Sequence, residues 1–447
     1  MGTAGTGKSY LIRAIRQRLQ TMCGEESNPP VIVIAPTGVA AFNINEVTIH
    51  FTLSIPICND KRLVDIDGER LKQLQERMNM VHYIIIDEKS MVGRRMLGLI
   101  DTRLRQIFSE KKNEPFGGRS IILFGDFGQL PPVLDVPMYS TNISRDGLSN
   151  YRIATYKFFS EVYKLDIIQR QSGDSEVQQE FRDILLRLCD GESSLNDWKT
   201  LTTRFEENLN QDERDSFSDA ISILTTWEEV DKINIDMLRS LQRPVAKIVG
   251  DHNRVEAKKA SSEMAKGLEA QLLLAKGARI MLTANVWMEG RLVNGSTGVI
   301  QDIIFREKGP PSLPVAVFIT FEKYEGPTIT NLEGVKVVPV VPIKRSWKGK
   351  NGTQCSRSQV PLCLAWVVTA HKSQGLTLEK AKIDLGSKEF AAGLSFVAVS
   401  RVRSLNDISF KQFTFERLLR IKNLRRLQER KLEEERLVSL IPEEGAI

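Results

Sequence analysis

The sequence has few cysteines and no long apolar run. Its five cysteines are scattered, odd in number and without a C-x-x-C pair: Cys23, Cys58, Cys189, Cys355 and Cys363. This pattern argues against a disulfide scaffold or a cysteine-rich zinc site and predicts reduced thiols inside a cell. The apolar stretch at 335–343 is short and is broken by Pro339 and Pro342. We therefore expect no membrane span, no membrane partner and no secretory leader.

The chain also lacks a strong charge of one sign. It has 62 Lys and Arg against 56 Asp and Glu, a formal net charge of +6. Such a mild excess is compatible with a polyanionic partner but does not identify one. A hydrophobic content of 41% and a charged content of 26% are typical of a soluble protein with large cores. The length of 447 residues predicts about three domains.

A phosphate-binding pattern is present at the start of the chain, where residues 2–9 fit G-x-x-x-x-G-K-[ST] at every fixed position. In this pattern backbone N–H groups surround a phosphate, Lys8 reaches the β and γ oxygens, and Ser9 offers its hydroxyl to Mg²⁺. Apolar residues at helical spacing follow, so a helix N-terminus faces the anion. We therefore predict binding of ATP or a relative. The predicted binding residues are Gly2, Thr3, Ala4, Gly5, Thr6, Gly7, Lys8 and Ser9.

Only Met1 precedes this loop. Because a phosphate-binding loop follows a buried strand, we expect the first strand to be missing from this chain, which would then be a truncated copy with reduced stability. Residues 1–6 also fit the N-myristoylation pattern M-G-x-x-x-[ST]. The loop already explains Gly2, so we expect no lipid anchor.

Polar side chains follow the predicted buried strands of the first part. The β-branched runs Val31–Ala35, Tyr83–Ile86 and Ser120–Phe124 are typical of a parallel sheet covered on both faces. Asp87 and Glu88 follow the second run directly. Asp87 is predicted to support Mg²⁺, and Glu88 to polarise the water that attacks the γ-phosphate. Gln129 follows the third strand and is predicted to sense the γ-phosphate. A helix is expected over 94–108.

Phosphoryl transfer also needs positive charge that neutralises the transition state. Arg170 and Arg401 each follow an apolar stretch and are the two candidates. They are far apart in sequence, so the prediction requires that distant halves of the chain meet around Lys8.

The second half changes character several times. Residues 181–241 are expected to be mostly helical, and Arg279–Leu282 to be the strand that begins a second α/β unit. Alternating apolar runs broken by Gly and Pro predict a small β-barrel inserted at 298–361. The α/β pattern returns at 364–368. Residues 415–440 are charged and are expected to form one long, solvated helix.

The ordered set of motifs resembles the petite-integration-frequency (PIF) DNA helicases, a RecD-like branch of helicase superfamily one. The motifs are residues 2–9, 35–41, 48–51, 87–91, 125–132, 170–171, 294–298, 371–375 and 399–401, with 88–108 similar to the stretch that distinguishes this family. The resemblance covers the chain up to about residue 415. Lys89 stands where the family usually has an apolar residue.

The resemblance implies two RecA-like P-loop motor domains, of α/β class, with an SH3-like β-barrel insertion. It also implies ATP- and Mg²⁺-dependent translocation on single-stranded DNA from 5′ to 3′, with unwinding of partly duplex DNA. In the cleft, Lys8, Asp87, Glu88, Gln129, Arg170 and Arg401 would be catalytic, with Ser9 and Asp87 at the metal. The residues implied to contact DNA are Thr37, His50, Phe51, His371, Lys372, Ser373, Gln374, Ser400 and Ser404.

The predicted domain boundaries follow from these motifs. They are 1–165 for the first motor domain, 166–275 for a helical connection and the start of the second, 276–297 with 362–414 for the second, 298–361 for the barrel and 415–447 for the tail. We expect a monomer that acts in genome maintenance (repair, recombination or telomere maintenance) inside the cell, in the nucleus or mitochondrion if eukaryotic. Two alternatives stay open, a catalytically impaired DNA-binding remnant and an RNA-directed motor.

Overall fold

The computed structural model of the protein describes most of the chain. The described residues are 1–23, 30–37, 47–55, 66, 68–133, 135–141, 155–262, 264–287, 290, 292–306, 308–322, 324, 326–330, 334–348 and 353–442. Part of the motif at 35–41 therefore lies outside the described residues, as does Cys58.

Thirteen α-helices occur in these ranges. They are α1 Lys8–Cys23, α2 Ile49–Thr52, α3 Gly68–Met78, α4 Arg94–Ile107, α5 Glu176–Asp190, α6 Leu195–Thr202, α7 Gln211–Ser216, α8 Trp227–Ser240, α9 Val255–Lys259, α10 Ala370–Ser373, α11 Leu394–Val399, α12 Phe415–Leu419 and α13 Arg425–Val438. None of the helices in the described ranges has both the length and the apolar content needed to cross a bilayer.

The strands of the described residues fall into parallel and antiparallel sheets. They are β1 Val31–Ala35, β2 Val47–Thr48, β3 Tyr83–Ile86, β4 Ser120–Leu123, β5 Ile221–Leu224, β6 Ala246–Val249, β7 Asp251–His252, β8 Gln271–Leu274, β9 Arg279–Leu282, β10 Thr297–Ile304, β11 Ala316–Phe321, β12 Ile329–Thr330, β13 Lys336–Val340, β14 Ile343–Lys348, β15 Gln354–Gln359, β16 Leu362–Leu364, β17 Val367–Thr369, β18 Ala381–Ile383 and β19 Ile408–Phe410.

The first α/β unit is built on a parallel sheet in the order β2-β1-β3-β4. Alternate residues of β1 and β3 point to opposite faces, and both faces are covered. Ile12 of α1 packs on one face with Val33 and Ile85, and α3 and α4 pack on the other. The predicted strands and the helix at 94–107 are confirmed. Gly2 forms an additional parallel bridge with Leu165 at the start of the phosphate loop.

The second α/β unit is built on a parallel sheet in the order β17-β5-β18-β19. Strand β5 lies within residues 181–241, which were expected to be mostly helical. The expectation that Arg279–Leu282 begins this unit was wrong, because β9 pairs antiparallel with β10 and β16 instead. Short apolar strands have the same local pattern in both kinds of sheet, so the sequence does not reveal the pairing partner.

A β-rich unit separates these parallel strands in sequence. Its sheets have the orders β12-β13-β11-β10-β9-β16, β14-β15-β7 and β6-β8, and every pairing is antiparallel. The predicted strand-rich character of 298–361 is confirmed. Strands outside that range also join these sheets, and the domain boundaries given above stay a prediction.

The C-terminal segment differs from the expected single solvated helix. Helix α12 ends at Leu419, a 3₁₀ turn covers Arg420–Asn423, and α13 begins at Arg425. Leu427 of α13 is buried in the core of the second α/β unit, and Leu437 in the core of the first. The charged helix therefore joins the two units, because its few apolar side chains reach cores on both sides.

Candidate nucleotide-binding cleft

The phosphate loop lies at the bottom of a cleft of about 540 Å³. Gly5 and Gly7 both have φ of +85°, a backbone conformation that glycine adopts without strain. At position 5 the close approach of Arg170 also favours glycine, since a Cβ built there would lie 2.7 Å from Cβ of Arg170. Lys8 Nζ donates to the carbonyl oxygens of Gly2 and Thr3, each at 2.8 Å.

The cleft contains all six residues that were predicted to be catalytic. Its lining includes Lys8, Asp87, Glu88, Gln129, Arg170 and Arg401, together with Ala4 to Gly7, Ser9, Tyr10, Gln169, Ser172, Gly375, Thr377 and Arg403. The two halves of the chain therefore meet around Lys8. Arg403 and Thr377 were not predicted as cleft residues, although Arg403 lies two residues beyond Arg401.

The two carboxylates at the end of β3 have different environments. Asp87 is 5% exposed and its Oδ1 accepts a 2.8 Å hydrogen bond from the backbone N–H of Glu88. Glu88 has φ of +50° and ψ of +50°, an uncommon conformation for a residue with a side chain. Its Oε2 is buried without a hydrogen-bond partner among the described residues. Strain and an unsatisfied oxygen are both more frequent at functional positions than elsewhere.

Burial and neighbouring charges shift the pKa of these groups. Burial raises the pKa of Asp87. Burial, followed by the charge of Asp87, raises the pKa of Glu88 to about 7, while the cations Lys8 and Arg401 oppose this shift. An acid with a pKa near neutrality is suited to accept a proton during a reaction. Lys89 is buried, its pKa is lowered by burial to about 8, and its ammonium lies 4.2 Å from the Phe127 ring centroid.

Segment 169–171 connects the phosphate loop to the second α/β unit. The backbone N–H groups of Gln169 and Arg170 donate to Gly5 O at 2.8 and 3.1 Å. The Arg170 guanidinium donates to Thr377 Oγ1 at 3.0 Å and to Ser400 O at 2.9 Å. Burial lowers the pKa of Arg170, and the charge of Glu88 opposes that shift. Arg170 is thus held between the phosphate loop and the region of Arg401.

Arg401 is fully enclosed at the end of α11, with 1% of its surface exposed. Its guanidinium donates to Val397 O at 2.6 Å and to Ser400 Oγ at 2.7 Å. Burial and the charge of Arg170 lower its pKa, and the carboxylates of Glu88 and Asp126 oppose this effect. The side chain belongs to the second unit and approaches the carboxylates of the first.

Gln129 is a second link between the units. Its Nε2 donates to Asp126 Oδ2 at 3.3 Å, and its Oε1 accepts from Gln374 Nε2 at 3.4 Å. The neighbouring Gly128 is close to both α5 and α13, since a Cβ there would lie 2.3 Å from Cys189 Sγ and 2.7 Å from Arg430 Nη1. The loop that carries Gln129 is therefore in contact with the second unit and the C-terminal helix.

The residues predicted to contact DNA fall into two groups. Phe51 is 45% exposed, and Thr37, His50, His371, Lys372 and Ser404 are partly exposed. Ser373 and Ser400 are 0% and 1% exposed, and Gln374 is 6% exposed against Gln129. These three side chains are packed between elements, and their predicted contact with DNA stays a prediction. Ser404 caps a 3₁₀ turn through Asp407.

The chain is similar to known helicases in sequence and in structure. The model of the PIF1-like helicase family matches residues 1–199. The ATP-dependent DNA helicase PIF1 of Xenopus laevis is 30% identical over 420 residues, which is 92% of this chain and 58% of that protein. The crystal structure of Pif1 helicase from Candida albicans superposes with a TM-score of 0.71 at 27% identity, covering 97% of this chain and 94% of that one.

The chain is similar to PIF1-like helicases in sequence and in fold. It spans 58% of the length of the Xenopus laevis relative. A Pif1 helicase from Bacteroides, solved in complex with ADP-AlF3 and single-stranded DNA, has a TM-score of 0.63 and 25% identity, with coverage of 97% and 92%. The fold of two RecA-like α/β units in this PIF1-like chain is thereby confirmed as the fold class that the motifs predicted.

Proposed function

We propose that this chain is an ATP-dependent DNA helicase motor that moves from 5′ to 3′ on single-stranded DNA and separates duplexes in genome maintenance. One observation carries the proposal: Lys8, Glu88 and Arg401, from distant parts of the sequence, line a single cleft between two parallel sheets. Motors that act on polymers need such a cleft, because closing it around a nucleotide moves one unit against the other.

The residues present fit ATP with Mg²⁺. The Ser9 hydroxyl and the Asp87 carboxylate line the same cleft and would hold the metal. The unsatisfied Oε2 of Glu88 fits a role as acceptor for a water proton. Mg²⁺, when bound, would neutralise charge on the phosphate oxygens. Lys8 Nζ would exchange the carbonyl oxygens of Gly2 and Thr3 for phosphate oxygens, which are stronger acceptors for an ammonium group.

Proton transfer is assigned to Glu88. Its pKa of about 7 means that a large share of the side chain is ionised at neutral pH and can accept a proton from the attacking water. Arg170, which lies beside the phosphate loop, and Arg401 of the second unit supply positive charge to the cleft. Because Arg170 also holds Thr377 and Ser400, a change at the phosphates would reach the second unit through a direct hydrogen bond.

The strand-binding face is assigned to Phe51, His371 and Lys372. An exposed aromatic ring stacks on any base, and cations bind phosphates without reading sequence. Opening and closing of the cleft would change the distance between Phe51 in the first unit and Lys372 in the second. The number of chains that act together and the compartment stay predictions.

ATP turnover with and without a single-stranded oligonucleotide tests the proposal. We expect the oligonucleotide to stimulate ATP hydrolysis by the unaltered chain. The Lys8→Ala variant should lose ATP hydrolysis but still bind the single strand. Arg13→Ala is the matched control, since Arg13 is an exposed cation on the same helix. Normal turnover in Lys8→Ala would contradict the role of Lys8. Strand binding by the unaltered chain with no turnover would support the impaired remnant, and equal unwinding of matched RNA duplexes would support the RNA-directed motor.

A further inference from the structure

The exposed ring of Phe51 is in contact with the ammonium group of Lys266. Phe51 lies in α2, whose neighbours Ile49 and Leu53 are buried in the core of the first α/β unit. Lys266 Nζ lies 4.0 Å from the Phe51 ring centroid, within the range of a cation–π contact. Lys266 belongs to a segment that precedes β8 of the β-rich unit. A cation and an aromatic ring therefore meet across the face assigned to the strand.

The backbone around Lys266 is fixed. Lys266 has φ of +53°, which is uncommon for a residue with a side chain. The next residue, Gly267, has φ of +87°, and a Cβ there would lie 2.3 Å from the carbonyl oxygen of Thr283. Ala265 and Leu268 on either side are 0% exposed. Because the flanking residues are anchored, the fold places the Lys266 side chain beside the Phe51 ring.

The same segment carries an acid that faces the other strand-binding cation. Glu269 Oε1 lies 3.9 Å from Lys372 Nζ, and the two side chains are 31% and 29% exposed. Lys266 thus contacts the Phe51 ring, and Glu269 lies near the Lys372 ammonium. A single strand would offer a base face to the same ring and a phosphate to the same ammonium.

We propose that Lys266 and Glu269 form part of the strand-binding site, where Lys266 raises and Glu269 lowers the affinity for a single strand. A base displaces the Lys266 ammonium from the Phe51 ring, and the ammonium then binds an adjacent phosphate. A second phosphate displaces the Glu269 carboxylate from Lys372. This proposal rests on the proposed function, because the ligand is single-stranded nucleic acid.

The direction of each exchange follows from the chemistry. Stacking of a base on an aromatic ring is stronger than an exposed cation–π contact, so the ring favours the base. An exposed ion pair contributes little, so the carboxylate yields to a phosphate that several cations attract. Burial, with the charge of Arg345, lowers the pKa of Lys266, and a phosphate near this cationic pair would relieve their repulsion.

Equilibrium binding of a labelled oligothymidylate at several salt concentrations tests the proposal. Removing one phosphate contact lowers the slope of log affinity against log salt by about 0.7 for a single strand. We expect this decrease and weaker binding in Lys266→Ala and in Lys266→Gly, which also tolerates the positive φ. Lys266→Arg should keep the slope. Lys199→Ala, which removes an exposed lysine of α6, is the control.

Glu269→Gln is expected to bind the oligothymidylate a few-fold more tightly, since the competing carboxylate is removed. Glu207→Gln makes the same change of charge at an exposed position and should bind like the unaltered chain. Unchanged slope and affinity in the Lys266 variants, or equal affinity of Glu269→Gln and Glu207→Gln, would overturn the inference while leaving the proposed function intact. Failure of the unaltered chain to bind any single strand would overturn both.

Discussion

Tyr156 Oη donates a 2.6 Å hydrogen bond to Glu433 Oε1, which lies 277 residues further along the chain. Both side chains are buried, and the guanidinium of Arg436 on the same helix donates to both oxygens of the Glu433 carboxylate. Burial and the charge of Glu433 raise the pKa of Tyr156, so the phenol keeps the proton that it donates. Helix α13 is thereby fixed to the first α/β unit by a polar contact as well as by Leu437.

Tyr156→Phe should lower the free energy of unfolding by about 1–2 kcal/mol, because a buried hydrogen bond to a charged group is lost while Arg436 still pairs with the carboxylate. Urea denaturation measures this change. Lys431→Ala is the comparison, since Lys431 pairs with the exposed carboxylate of Glu192 and this ion pair should contribute at most about 1 kcal/mol. Equal losses in the two variants would argue against a special role for the buried contact.

The Gly128→Ala variant tests how tightly the loop that carries Gln129 packs against α5 and α13. It would place a methyl group against Cys189 Sγ and the Arg430 guanidinium, which is 3% exposed. Overpacking of this kind lowers stability by about 1–3 kcal/mol. We expect a corresponding decrease in the urea midpoint of Gly128→Ala. Gly68→Ala is the control because no atom lies within 4 Å of the added Cβ; a decrease of the same size there would remove the support for steric contact.

The sequence predicted the cleft better than it predicted the packing around it. Asp87 and Gln129 were found because parallel strands end at one edge of a sheet, which brings the residues that follow them together. Strand β5 was missed because four residues between helices carry little periodicity. The burial of α13 was missed because charged residues at helical spacing are normally solvated. Its partners Tyr156 and Cys189 lie more than 200 residues away.

Glu88 makes stability depend on pH. Its pKa is about 7 in the folded chain, above the ordinary 4.5. As pH rises from about 4.5 to 7, the unfolded chain releases this proton before the folded chain does, so folding becomes less favourable and the loss is complete above pH 7. Glu88→Gln has no titrating group at this position. Between pH 4 and pH 8, the difference in free energy of unfolding between the variant and the unaltered chain should therefore shift by about 1–3 kcal/mol in favour of the variant.

Urea denaturation of both proteins at the two pH values, without nucleotide, measures the difference. Burial raises the pKa of Asp87 as well, and Asp87 is present in both proteins, so the difference reports Glu88 together with its repulsion of Asp87. A constant difference between pH 4 and pH 8 would contradict a raised pKa for Glu88. The same variant should lose ATP turnover, since glutamine cannot accept the proton.

Thr377 positions Arg170 and should affect turnover more than nucleotide affinity. Its Oγ1 accepts a 3.0 Å hydrogen bond from Arg170 Nε, and Thr377→Val removes that acceptor at nearly unchanged volume. The bond to Ser400 O remains, so the guanidinium stays in the cleft with less orientation. We expect the kcat of strand-stimulated hydrolysis to decrease about 10-fold, as for loss of one hydrogen bond to a charged group, with KM for ATP within about 2-fold. Thr377→Ser keeps the hydroxyl and should restore kcat. A rise in KM at constant kcat would show that Thr377 serves nucleotide binding instead, and equal kinetics of all three proteins would show that this hydrogen bond does not orient Arg170 for catalysis.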